Sequence, residues 1–295
     1  MRAAVWMAVS RFIAPLLLLA LTACATQSRR EHPYTNAAQP LEILLPASAS
    51  QGALVIGRAD PASIVTVAGR HLRLSADGSF AFGISRDATG ESVVGVQAPG
   101  AARVDRRIAI VTRDWPVERI DGVPPATVNP PPAIAERIER EQAQVAAARV
   151  RDDDRDDYQQ AFIWPVRGRI SGRFGNQRVY VLPDGSGVPK APHSGMDVAA
   201  PQGTPVQAPA AGVITFAAPD LYLTGGTVLL DHGHGISSNF LHLSRIDVHV
   251  GERIEQGQVI GLVGATGRAT GPHLHWGMNW FDVRIDPLLV IERVR

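Results

Sequence analysis

His193-Ser194-Gly195-Met196-Asp197 and His273-Leu274-His275, with His242 between them, are the stretches from which the fold and chemistry of this chain are read. A strand sends residues i and i+2 to the same face. His273 and His275 can therefore look into one groove, and the apolar run Trp276–Trp280 carries the strand onward. Fully extended, His193 and Asp197 would sit about 13 Å apart, too far to share one ion, so the chain is expected to curl at Ser194-Gly195. Pro192 in front and the β-branched Val198 behind argue against a helix there. Three side chains of metal-ligand type and two spare imidazoles thus fall in one Gly-rich, β-patterned segment. A hydrolytic metal site needs three protein ligands and an open position for water. It also needs a base and a group that steadies an oxyanion. Strand parity leaves open which histidine of the pair is a ligand.

The remaining histidines read differently. Asp231-His232-Gly233-His234-Gly235 predicts a turn between strands Thr227–Leu230 and Ile236–Leu243 rather than a second metal site. His249, alternating with Val248 and Val250, reads as a solvated strand residue, and His71 and His32 as surface groups.

From Trp164 to about Val290 the chain resembles the lysostaphin-type (LytM-type) zinc endopeptidases of peptidoglycan. The resemblance rests on Ile170–Gly175, His193–Pro201, Gly203–Val206 and Ala208–Val213. It continues through Leu241-His242-Leu243, Gly257–Gly261, Gly264–Gly267 and Thr270–His275. It implies that His193, Asp197 and His275 hold Zn2+, that His273 is the catalytic base, and that His242 is the second active-site histidine, helping to polarise the reacting carbonyl. Phe240 departs from the pattern, where relatives often carry Tyr, and costs a hydroxyl but no catalytic group.

The N-terminus reads as a leader. Met1-Arg2, Arg11 and the apolar run to Leu21 form short n- and h-regions, ending in Leu21-Thr22-Ala23-Cys24. This resembles the bacterial lipoprotein cleavage box, with lipidation expected at Cys24. The apolar core is too short to span a bilayer as a mature helix. Cys24 is the single cysteine, so no disulfide forms within the chain. Ala25 after the cysteine points to the outer membrane, facing the periplasm.

The expected organisation is a signal peptide (1–23), a flexible tether (24–40), a β module (41–115), a Pro-rich linker (116–132), a charged helix (133–160) and the endopeptidase domain (161–295). The fold class is mainly β: a C-terminal Gly-rich antiparallel sheet, a small N-terminal immunoglobulin-like sandwich and a long connecting helix of about 42 Å. In the β module, strands are read at Ile64–Ala68, Leu72–Ser75, Ser79–Ile84, Val93–Gln97 and Arg107–Thr112, and no chemical constellation is seen. The acidic run Asp152–Asp157 lacks the Gly turn and terminal Glu of an EF-hand and reads as a solvated helix end. Residues 178–191 read as a loop that gates the groove.

Charge excludes one class of partner. The net charge is +1 and no basic stretch is interleaved with aromatics, so nucleic acid is not expected. The expected partners are peptidoglycan peptides as substrate and a membrane through the lipid anchor. Two functions compete: a zinc endopeptidase of peptidoglycan stem peptides or cross-links, and a non-enzymatic activator of other wall hydrolases on the same fold. Loss of catalysis normally shows as a substituted ligand, and all three ligand positions are intact.

Overall fold

A computed structural model describes residues 42–123, 128 and 130–293. The leader, Cys24 and the tether lie outside them. The architecture is mainly β. Its centre is a sheet in the order Arg253–Ile254, Gly212–Leu221, Gly225–Asp231, Ile236–Leu243, His273–Trp280, Met196–Ala199 and Arg169–Gly172, with Val283–Ile285 on the His273–Trp280 strand. All the ladders in this sheet are antiparallel. Residues Gly225–Asp231 are buried throughout, as expected of a strand covered on both faces. On His273–Trp280 the alternate residues Leu274, Trp276 and Met278 enter the core, which leaves His273 and His275 for the opposite face.

Residues 48–111 form a five-stranded sheet in the order Ser48–Ser50, Val104–Val111, Glu91–Gln97, Ile64–Val67, Arg70–Leu72, and a two-stranded sheet of Leu54–Arg58 with Ser79–Gly83. Ser48–Ser50 pairs in parallel with Val104–Val111. This module packs directly on the central sheet: Phe80, Phe82 and Val94 share one core with Leu274, Trp276 and Trp280. Phe82 meets Trp280 edge-on at 6.3 Å. Two polar links reinforce the contact: Gly52 O accepts from Asp286 N at 2.8 Å, and Arg113 pairs with the buried Asp286 at 2.9 Å.

The connecting helix α1 runs Pro132–Ala148 and is shorter than expected, ending before the acidic run. Aspartate is a poor helix former that favours local side-chain bonds, and here arginines take these carboxylates one by one. Asp153 pairs with Arg151 at 2.5 Å, and Asp157 with Arg155 at 2.7 Å and Arg253 at 2.5 Å. Asp157 is buried. The run is therefore not a helix end but an irregular stretch, partly exposed and partly a polar seam. Among the described residues no helix is long and apolar enough to cross a membrane.

Residues 178–191 also differ from expectation. Gln177–Val181 and Gly187–Pro189 form a hairpin, and Val117–Ile120 adds a parallel strand to it. The Pro183-Asp184-Gly185 turn dominates the local pattern, and the third strand comes from a distant part of the chain.

Candidate metal centre and groove

Register brings the cluster together. Asp197 lies directly opposite His275, and Ala199 opposite His273. Leu241 faces His275 from the other side, and the next residue, His242, brings its ring to 6.3 Å from that of His275. Directly opposed side chains on one face are about 5 Å apart at Cβ, within reach of a common ion.

Two glycines make room. A Cβ at Gly172, across from Asp197, would lie 2.5 Å from Asp197 Oδ2. A Cβ at Gly195 would lie 2.6 Å from Trp276 O and 2.7 Å from His275 Nε2. The chain bends at Gly195, where the sequence predicted a curl, and this turns His193 back over Asp197. His193 N also donates to Asn176 O at 2.9 Å.

The donor atoms converge. His193 Nε2 is 3.0 Å from His275 Nδ1 and 3.1 Å from Asp197 Oδ1. His275 Nδ1 is 2.8 Å from Asp197 Oδ1. His193 Nδ1 donates to Arg173 O at 3.0 Å, which leaves the Nε2 lone pair for the cluster. This carbonyl contact is the usual way a ligating imidazole is held. Two imidazole nitrogens and a carboxylate oxygen facing one point share too few protons to satisfy one another, whereas a cation satisfies all three. Burial pushes the His275 imidazole down to about 3. Burial would push the Asp197 carboxyl up, but the hydrogen bonds and charges of His193 and His275 outweigh it and hold it well below the usual range. A carboxylate beside a neutral imidazole is the protonation state that metal binding requires of such side chains.

His273 and His242 flank the cluster. His273 Nε2 lies 3.8 Å from Asp197 Oδ1, and its Nδ1 donates to Gly271 O at 2.8 Å. His242 Nδ1 donates to Thr266 O at 2.8 Å, and its ring is 4.8 Å from that of His273. Both rings thus keep Nε2 available. Burial first, then the charge His273 would carry, pushes His242 down to about 4. His242 has φ 65°, costly for a residue with a Cβ, and its N–H is held by Thr224 O at 2.9 Å.

A groove of about 800 Å³ runs past His193, His242 and His275. Its walls include residues the sequence reading assigned no role. Ser85, Arg86 and Asp87 bring the β module to the rim, and Gln142 brings α1. Arg86 is fixed there, its Nε donating to Gly175 O at 2.7 Å. Arg178 was read as part of a loop, yet its Nη2 donates to Asp197 Oδ2 at 2.5 Å, while its Nε lies 3.5 Å from Glu118. No local signal marks it, because the strand pairing of Arg178 with Glu118 is a long-range event. His232, His234 and His249 stay outside the cluster, and the first two sit in the predicted turn.

Residues 191–287 match Peptidase family M23. A crystal structure described as a putative peptidase M23 from Pseudomonas aeruginosa is 30% identical and aligns with a TM-score of 0.62 over 82% of this chain and 94% of that one. This chain belongs to peptidase family M23. Peptidoglycan DD-endopeptidase ShyA of Vibrio cholerae is 42% identical over 128 residues, 42% of this chain and 29% of that protein. DD-carboxypeptidase/endopeptidase Mpg of Neisseria meningitidis is 49% identical over 98 residues, 33% of this chain and 22% of that protein. The matched stretch therefore spans less than a third of either relative's length. The M23 membership and mainly β class agree with the resemblance read from the sequence.

Proposed function

We propose that this chain is a zinc-dependent endopeptidase that cuts peptide bonds in peptidoglycan, most directly its cross-links. The observation that carries the reading is the convergence of His193 Nε2, Asp197 Oδ1 and His275 Nδ1 within 3.1 Å of one another, at the wall of an open groove. The names of the M23 relatives as peptidoglycan DD-endopeptidases support the substrate. His193, Asp197 and His275 would hold the zinc, which when bound supplies an activated water and polarises the scissile carbonyl. His273, held through Nδ1 by Gly271 O, has Nε2 free to take a proton and is suited to return it to the departing amine. His242 presents a second Nε2 to the groove and becomes a donor to developing negative charge only once it has taken a proton. Asp197 is oriented by Arg178, whose bond to Oδ2 leaves Oδ1 for the ion.

We further propose attachment to the membrane by lipid at Cys24, in the outer membrane facing the periplasm, on the strength of the Leu21-Thr22-Ala23-Cys24 box. Cys24→Ser should leave a precursor or a soluble envelope form. A variant that stays membrane-bound with an unchanged mature N-terminus overturns the anchor. The enzyme reading is tested by zinc content and by fragment release from purified wall. About one zinc per chain with release that stops under chelation is expected. No zinc and no release would favour the activator role.

A further inference from the structure

A second cavity, of about 400 Å³, opens beside the groove between α1 and the central sheet. The two spaces share Gln142, Ser194, Thr224 and Arg284, so a bound peptide in one has access to the other. Two guanidinium groups line this second cavity, and both are half-buried. Arg149 is the residue that ends α1. Arg284 sits in the strand Val283–Ile285, opposite Asn279, and its Nη1 donates to Asn279 Oδ1 at 3.0 Å. That bond sets the direction of the Arg284 side chain but brings no negative charge.

Neither arginine has a carboxylate within salt-bridge range among the described residues, whereas Arg113, Arg137, Arg155, Arg178 and Arg253 all do. Arg149 Nε is shut off from solvent without a hydrogen-bond partner. The acid lining the cavity, Glu141, is already engaged by Arg137 Nε at 2.6 Å and by the backbone N–H of Tyr222 at 2.8 Å. Burial, and after it the charge of Arg284, pushes the Arg149 guanidinium down to about 9, so it stays charged at neutral pH. Two like charges in a partly dry space repel, and a buried donor without a partner costs free energy. The helix C-terminus offers Arg149 some compensation. It offers none to Arg284, a strand residue.

We propose that Arg149 and Arg284 form a carboxylate-binding pocket next to the catalytic groove, which takes a free carboxylate of the peptide being cut; this rests on the endopeptidase reading. A guanidinium fork matches a carboxylate with two parallel hydrogen bonds. The cavity wall is mixed, with Ile138, Val145, Leu221 and Leu241 beside Gln142, Thr227 and Asn239, which suits a peptide residue, part hydrocarbon and part amide. The carboxylate has two sources in a stem peptide, its C-terminus or a side-chain carboxyl.

The test uses the full chain loaded with zinc and three versions of one cross-linked stem peptide: unmodified, amidated at the C-terminus, and amidated at the side-chain carboxyl. One amidation should raise KM roughly 10- to 100-fold, the loss of a charge-assisted bond, and which one does so identifies the source. Arg149→Gln and Arg284→Gln should bring that ratio close to one. Arg140→Gln, on the exposed side of α1, should leave it unchanged. If the unaltered chain treats all three peptides alike, or if folded, zinc-loaded Arg149→Gln retains the ratio, the pocket is disproved. Should Arg284→Gln not fold, Arg149→Gln at the helix end decides. If the unaltered chain cuts none of the peptides, the endopeptidase reading fails. Isothermal titration with the same peptides then reads the pocket alone: tighter binding of the free carboxylate supports it, and equal binding overturns it.

Discussion

The central sheet carries two His-x-His pairs, His232-Gly233-His234 at a turn and His273-Leu274-His275 within a strand. Their spacing is identical and their surroundings are not. On the strand, parity keeps both rings on one face, and register sets Asp197 opposite His275. At the turn, Gly233, His234 and Gly235 all have positive φ, so the two rings part. His232 binds Ala211 O at 2.7 Å and Ser238 Oγ at 2.8 Å, one through each ring nitrogen. An imidazole with both nitrogens committed to protein cannot ligate a metal. His234 lies against Tyr158, with ring centroids 4.6 Å apart. The comparison teaches that a histidine of such a pair joins a metal site only where one ring nitrogen is left over and two further ligands converge on it.

The widest separation between the two pairs should appear in metal and turnover. His275→Ala is expected to lose both zinc and activity. His273→Ala and His242→Ala should keep zinc and lose about 10²–10⁴-fold in rate. Zinc stoichiometry and wall-digestion rates check this, and a metal-free His273→Ala beside a zinc-bound His275→Ala would reverse the assignment.

A smaller effect belongs to the support of the cluster. Arg178→Gln frees Asp197 Oδ2, and zinc affinity should fall by about 10- to 100-fold in a chelator competition. An unchanged affinity would reduce the Arg178 contact to a bystander.

The turn pair should respond in stability instead. His232→Ala orphans a buried carbonyl and a hydroxyl, with an expected loss of about 2 kcal/mol in urea denaturation at neutral pH and full zinc content. Loss of zinc in this variant would break the contrast between the pairs.

The pH dependence of that loss is the finest test. Burial pushes His232 down to about 4, below its ordinary 6.5. A depressed pKa contributes stability that is present above the unfolded value and is lost as pH falls through the window down to the folded one. The stability gap between the unaltered chain and His232→Ala should therefore shrink by about 1 kcal/mol between pH 6 and pH 5. The neighbouring Asp231, pushed up to about 6 by burial, acts with the opposite sign. It is common to both proteins and drops out of the difference. A gap that holds constant with pH would mean His232 titrates normally.

Much of the site was legible because its signals are local. The i, i+2 spacing of His273 and His275, the Gly195 bend and the Gly-rich turns are all properties of short stretches, and so is the motif series that marks the M23 family. The end of α1 falls earlier than expected because residues 149–157 carry on the alternation of acid and arginine seen in the helix but exchange Glu for Asp, a poor helix former. Their partners Arg253 and Asp231 lie far along the chain.

The sequence alone determined the residue types of the metal cluster, the strand parity of its second half and the turn that removes His232 and His234 from it. Which atoms face the cluster, the bond from Arg178 to Asp197, the entry of Ser85–Asp87 into the groove wall and the placing of Arg149 and Arg284 on one cavity were decided by tertiary structure. Each depends on register or packing between segments whose separation in the chain leaves no periodic trace. Charge and size at one position do not reveal which distant side chain will stand opposite once the sheet has closed.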